Sequence, residues 1–428
     1  MIDLDRLRSD AIEVLRVNDT GRFVKPSQRL YPWQWNWDSA FVVIGLAGVD
    51  PERARLEVRS LLEGQWDDGM VPHMVFHPQP VDYRPGPELW DSARCDGAPR
   101  VATSGLTAPP VLAIAVRTLH DAAPDDAFLE EVVPKLDGWH AWFHRERTHQ
   151  ESGLMTIFHG WESADNAPRF DRALARIDAA GIEPIERTDT LQVAADERPT
   201  DLDYRRYVAL VAWLRERAYR PRPVSSSPFA YLDLPLNSIL AVAEDDLALL
   251  QESIGTSGER ARAAAGELRA ALGATWDEAA GAYRERDLHG DAGVTDTVAD
   301  LFPLYAGVPD ERQARRLVDQ HLLEPTRFGP APESPWVVTT VAKSSPAYSA
   351  RNYWRGPVWI NVNWFLIRAL ERYGLAEEAA SLRSSTLELV RRSGFSEYYE
   401  PATGAPLGSR VFSWSAALTL DLIRDVRP

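Results

Sequence analysis

The sequence predicts an all-α protein, a toroid of paired helices, and three observations point there. Apolar residues recur at helical spacing along most of the chain, and strand-like alternation is scarce. Long loops rich in tryptophan and tyrosine separate the helical stretches, with no Gly/Ser linker, charge block or low-complexity tract between them. The chain has 428 residues, 45% of them hydrophobic, which is ample for one large core. The expectation is therefore a single domain spanning residues 1–428. No fixed-period repeat supports a solenoid instead.

The elements can be justified in order. Asp50 and Pro51 have the chemistry of an N-cap and first helical residue, and open a helix through Leu62. In DDAFLEEVVPKLDGWHAWFHRER, the residues Leu129, Val132, Val133, Leu136, Trp139 and Phe143 share one helical face. Pro134 within that run either kinks the helix or marks its start. The Pro/Ser stretch from Arg220 to Pro228 reads as a loop. PDERQARRLVDQHLL carries a stripe of Ala314, Leu317, Val318 and Leu322, and its Pro and acidic opening suits a helix N-terminus. Trp336 to Val341, flanked by prolines, is the best strand candidate. NVNWFLIRALERYG closes at Gly374, and a further helix runs to Gly394.

Composition excludes several functions. A formal charge of −16 opposes binding to nucleic acid, which needs clustered Lys and Arg. No apolar run approaches the roughly 20 residues that span a bilayer. The longest, Ala40 to Val49, is broken by glycines. Neither a nucleic-acid nor a membrane partner is expected, and a homo-oligomer is left open. The N-terminal segment is charged throughout, unlike a signal peptide, so a cytoplasmic location is expected. The lone Cys95 supports no disulfide framework or cysteine zinc site. There is no Gly-rich phosphate loop, G-x-S-x-G elbow or H-E-x-x-H. His73 and His77 sit four apart among prolines, a poor context for a helical metal pair. No metal or cofactor is expected.

Four segments carry chemistry: YPWQWNWDSAF (Tyr31 to Phe41), HGWESADNAPRFD (His159 to Asp171), RNYWRGPVWINVNW (Arg351 to Trp364) and GFSEYYEPATG (Gly394 to Gly404). Each sets aromatic rings beside carboxylates, amides or arginine. Sugars present apolar C–H faces and a rim of hydroxyls, so flat rings with carboxylate and amide hydrogen-bonders suit a small carbohydrate. Glycoside hydrolysis needs two carboxyl groups flanking the scissile bond. Loop context narrows the pair to Asp38, Glu162, Asp165, Asp171, Glu397 and Glu400, and residue chemistry alone does not choose among them.

In these segments the chain resembles glycoside hydrolase family 63, and within it the small bacterial mannosylglycerate and glucosylglycerate hydrolases. QWNWDSAF, GMVPHMVF, TSGLTAPPV, WESADNAPRFD, ERPTDLDYRRY, YWRGPVWINVNW and FSEYYEPATGAPLG occur in the family's order. The resemblance implies an (α/α)6 barrel and an exo-acting, inverting hydrolase that releases a hexose from a small α-glycoside. It implies Asp165 as general acid, with Glu162 as fallback, and Glu397 as general base. Trp35, Trp37, Asp38, His73, Tyr353, Trp354 and Trp359 match positions that hold the sugar. Arg198 and Tyr204 match the leaving-group side, where Arg198 either binds a glycerate carboxylate or forms a structural ion pair. Two departures stand out. WESADN is one residue shorter than the family's W-E-S-G-x-D-N, and Ala108 replaces a usual glutamine. A trehalase-like or oligosaccharide α-glucosidase, a sugar epimerase or isomerase, and a catalytically inactive sugar-binding protein are the competing readings.

Overall fold

The computed structural model describes residues 3–79, 83–290 and 296–425. Its helices are α1 (Leu4–Asn18), α2 (Asn36–Leu46), α3 (Pro51–Leu62), α4 (Leu112–Ala122), α5 (Asp126–Glu146), α6 (Asp171–Ala175) and α7 (Asp201–Arg215). They continue as α8 (Leu234–Ser253), α9 (Glu259–Gly273), α10 (Phe302–Ala306), α11 (Glu311–Leu317), α12 (Ile360–Arg372), α13 (Ala376–Ser393) and α14 (Ser413–Arg424). Six of them, α2, α4, α8, α10, α12 and α14, each pack on the next, and α14 returns to α2 to close the ring. The alternate helices α1, α3, α5, α9, α11 and α13 lie outside. For example, α1 leans on α14, α3 on α2, α9 on α8 and α13 on α12. This is an (α/α)6 barrel. The short α6 and the helix α7 belong to the long excursion between α5 and α8.

The two rings differ in sequence for a physical reason. An inner helix is covered on all sides, so α2 buries Asn36 and every residue from Asp38 to Leu46. The apolar run beginning at Ala40 is such a helix. An outer helix buries one stripe: α13 buries Ala379, Leu382, Thr386, Leu387, Leu389 and Val390 and turns its charges outward. The buried apolar residues form one cluster from Leu7 to Ile423. Among the described residues, no helix is long and apolar enough to cross a membrane.

Most helix ends fall where the caps place them. Asp50 accepts the Arg53 N–H at 3.0 Å with Pro51 behind it, and Asp310 with Gln313 forms a reciprocal capping box. Pro134 marks no boundary: α5 starts at Asp126, capped by Asp125, and runs through it. The expected strand from Trp336 to Val341 does not form. Thr339 and Val341 make only isolated bridges. Here the Asn363 side-chain amide takes the Val338 N–H at 2.8 Å and donates to the Val337 carbonyl at 2.7 Å. These backbone groups are satisfied without a ladder.

Small antiparallel pieces steer the loops. Gln34–Trp35, Met74–Phe76 and Ala102–Thr103 form one sheet, and Tyr398–Tyr399 pairs with Pro406–Leu407 in a hairpin.

Ring closure depends on close approach of the first and last inner helices. A Cβ on Gly45 would lie 2.5 Å from the backbone of Ala417. Gly45→Ala should therefore push α2 from α14 and cost about 1–3 kcal/mol. A urea unfolding midpoint equal to that of the unmodified protein would contradict this account of the closure.

Candidate active site

A cavity of about 140 Å³ opens at the N-terminal ends of the inner helices. By that measure it holds on the order of ten waters, the scale of a small molecule and not a polymer. Trp35, Trp37 and Asp38 line it at the start of α2, Ala108 and Pro109 just before α4, Trp354 before α12, and Phe412 and Trp414 at the start of α14. Loops add Tyr31, His73, Tyr83, Trp90, Trp161, Ser163, Asp165, Asp189, Arg198, Tyr353 and Glu397, and the first turn of α7 adds Tyr204.

The structure thus brings ten of the eleven sequence-predicted site residues to one cavity. The exception is Trp359, which lies behind it. Its ring is 1% exposed, stacks on Trp354 at 3.8 Å and 4°, and is backed by Tyr398 at 4.7 Å. Its indole N–H donates to the Tyr353 carbonyl at 3.2 Å. Trp359 therefore supports the cavity-facing ring of Trp354 and does not itself line the cavity. The preceding loop is tightly held, since Tyr353 sits at φ +40°, an unusual value for a bulky residue.

Asp165 lies in the loop after a short 3-10 turn, Gly160–Glu162. Several ties fix this loop. The Asn166 N–H donates to the Tyr207 hydroxyl at 3.0 Å, Arg355 donates to the Asn166 carbonyl at 3.2 Å, and Arg169 donates to the Ser163 hydroxyl at 3.0 Å. Asn166 occupies the left-handed region at φ +63°, which asparagine tolerates. In the one-residue-shorter block, Asp165 still lines the cavity. Burial pushes its carboxyl up to about 7, reinforced by Glu397 and Asp189 and opposed by Arg198.

Glu397 precedes the Tyr398–Tyr399 hairpin and is 1% exposed. Its Oε1 accepts from the Tyr31 hydroxyl at 2.7 Å and from Arg198 Nη1 at 3.3 Å. Its Oε2 accepts from Arg198 Nη2 at 2.8 Å and from the Ser409 N–H at 3.0 Å. The neighbouring turn requires glycine: Gly408 is at φ +63°, and a Cβ there would collide with Glu397 Oε2. Arg198 takes the second of its two expected roles in this structure, an ion pair with Glu397, with its guanidinium 4.8 Å from the Tyr353 ring. Asp38 is 4% exposed, and burial followed by the nearby Glu397 raises its carboxyl well above the usual range. His73 shares its Nδ1 with the Ser104 hydroxyl at 2.6 Å, and burial lowers it to about 3, so the ring is neutral. Tyr204 carries the Arg187 guanidinium 4.4 Å from its ring centre.

The other carboxyl candidates lie elsewhere. Glu162 is fully buried and accepts from Arg147 at 2.6 and 2.9 Å, from the Phe158 N–H at 2.7 Å and from the Thr107 N–H at 3.2 Å. It braces two loops and does not line the cavity. Asp171 pairs with Arg355, and Glu400 closes its own turn on Thr403. His77 bonds Gln34 at 2.8 Å away from the cavity. Sequence reasoning missed Tyr83, Trp90, Asp189, Phe412 and Trp414 as lining residues. Tyr31 and Trp161 lay inside the aromatic blocks, and only their neighbours were singled out. Among the described residues, no three His, Cys, Asp or Glu side chains gather in a way that could hold a metal ion.

Comparison with known proteins agrees with this geometry. Residues 31–415 match the model of the mannosylglycerate hydrolase MGH1-like glycoside hydrolase domain. The chain belongs to that family. It is similar to mannosylglycerate hydrolase of Thermus thermophilus, at 41% identity over 96% of this chain and 99% of the relative. It is also similar to glucosylglycerate hydrolase of Mycolicibacterium hassiacum, at 37% identity over 97% of each. A crystal structure of the family 63 mannosylglycerate hydrolase from Thermus thermophilus, in complex with Tris and D-glycerate, superposes with a TM-score of 0.90. Its identity is 40%, covering 97% of this chain and 99% of that one. The chain is accordingly a glycoside hydrolase.

The structural part assigned to Glu162 has a direct consequence. Arg147→Met strands a buried carboxylate and should cost about 3–5 kcal/mol. Chemical denaturation measures it, and a loss below about 1 kcal/mol would leave the bracing role without support.

Proposed function

We propose that this hydrolase removes a hexose from a small α-linked glycoside of glycerate, with inversion at the anomeric carbon. One observation carries the reading: of the four carboxyls that line the cavity among the described residues, two stand in opposite surroundings, Asp165 without an ion pair and raised to about 7, Glu397 hydrogen-bonded and ion-paired. Asp165 donates its proton to the glycosidic oxygen as the bond to the anomeric carbon breaks. Glu397 accepts a proton from the water that attacks the opposite face of the same carbon. The products are the free hexose and glycerate, and the two carboxyls exchange their protons through solvent. Trp35, Trp37 and Trp354 offer the hexose apolar faces, and Asp38 and His73 meet its hydroxyls.

The glycerate assignment draws on the relatives' named substrates and on charge. Among the described residues, Arg198 is the only arginine or lysine lining the cavity, and it donates to the Tyr31 hydroxyl where a carboxylate would lie. Ala108 places a methyl group where the aglycone passes, so that wall contributes no hydrogen bond. The same reading treats residues 1–428 as one catalytic domain, supported by the uninterrupted core.

Asp165→Asn and Glu397→Gln should each lower kcat by about 10²–10⁴-fold or more on α-mannosyl- or α-glucosylglycerate. Wild-type rates in both variants would remove the assignment. Because the acid form of Asp165 is the active one, kcat/KM should fall as pH rises through about 7. A profile flat to pH 9 would exclude Asp165 as the acid. Proton NMR should show the β-hexose first, and initial release of the α-anomer would exclude inversion.

A further inference from the structure

An ionised carboxylate offers about four acceptor positions, two on each oxygen. In Glu397 all four are taken: Tyr31 and Arg198 on Oε1, Arg198 and the Ser409 N–H on Oε2. A general base must have an oxygen within hydrogen-bond reach of the water it activates. Glu397 in this arrangement has no position left for one. Two of the four donors come from a single group, the Arg198 guanidinium, and its withdrawal would open one position on each oxygen. Arg198 has reason to respond to a ligand. Among the described residues it is the sole arginine or lysine lining the cavity, and its buried Nε has no partner there.

We propose that Arg198 is a latch on the catalytic base: the carboxylate of the leaving group draws the guanidinium away from Glu397, and only then can Glu397 accept a proton from water. This rests on the functional reading above and adds to it. In that reading the anionic aglycone supplies affinity alone. With the latch it also switches on the chemical step, so that a glycoside of matching shape without the carboxylate binds a site whose base is occupied. Substrate choice then appears in kcat as well as in KM. The exchange replaces one guanidinium–carboxylate contact by another and leaves the Glu397 carboxylate on its two neutral donors, Tyr31 and the Ser409 N–H, with one open position on each oxygen. Tyr31 also donates to Glu397 and accepts from Arg198 at 2.7 Å, and it remains as the donor that orients the freed carboxylate.

The test separates the anion from the glycosidic bond. α-Mannosyl or α-glucosyl fluoride fills the hexose site and carries no aglycone, so fluoride release by the native enzyme is measured alone, with D-glycerate and with glycerol. The latch predicts slow release alone and a rise in kcat of about tenfold or more with D-glycerate, the scale of one charge-assisted hydrogen bond. Glycerol, of similar size without the charge, should leave the rate unchanged, and Arg198→Gln should abolish the response to D-glycerate. Plain inhibition by D-glycerate, equal activation by glycerol, or an undiminished response in Arg198→Gln would each overturn the latch while leaving the hydrolase reading intact. No fluoride release under any condition would overturn both.

Discussion

The closed ring of inner helices constrains everything else in this protein. A helix packed on every side carries charge only where a partner meets it, as Glu244 of α8 meets His144 and Asp421 of α14 meets Arg368. Accordingly α2 and α14 are apolar or small through most of their turns and approach each other to backbone contact at Gly45 and Ala417. Unpaired polar chemistry is thereby concentrated at the ends of the ring. The cavity forms at the end where the inner helices begin, and there unpaired backbone N–H groups and the helix dipoles favour negative charge. Asp38 occupies the first turn of α2, and the loops entering α12 and α14 deliver Tyr353, Trp354 and Glu397.

Tryptophan in such a site serves two ends at once. Trp354 faces the cavity with its ring flat on Trp359, which rests on Tyr398, and Trp37 meets both Trp354 and Trp414. The cavity floor is the outermost layer of a packed aromatic stack. Its rigidity comes from layers that no ligand touches. This is why an aromatic residue in the RNYWRGPVW block could match the family pattern and still be a support. The Trp359 side chain is positioned by its indole bond to the Tyr353 carbonyl, which also helps to hold Tyr353 in its unusual backbone conformation.

What the sequence made legible follows the range over which the physics acts. Caps and stripes are local, so Asp50–Pro51, the acidic opening at Asp310 and the ends at Gly374 and Gly394 could be read directly. The strand expected at Trp336 to Val341 failed because a side chain 25 residues away satisfied its backbone. Site roles are less local still. Arg198 and Glu397 are 199 residues apart, and Tyr31 and Glu397 366 apart. No spacing rule joins them, so residue chemistry proposed six carboxyls and could not choose. Tyr83 and Asp189 lay outside the aromatic blocks and carried no local signal at all.

The choice between Glu162 and Asp165 shows what structure adds to a motif. The two lie three residues apart in the same block, Glu162 fully buried and Asp165 half-buried where it lines the cavity. Glu162 meets a guanidinium and two backbone donors, which hold it in place and use up its oxygens. Asp165 meets no such partner and faces the cavity near two further carboxyls, Glu397 and Asp189. Burial without an ion-pair partner favours the protonated form, which is what raises Asp165. In the proposed mechanism the proton donor is accordingly the less well-bonded of the two. The loop uses its strong ion pair at Glu162 to fix its own shape, and this leaves Asp165 without an ion pair at the cavity edge, the setting that the proposed acid needs.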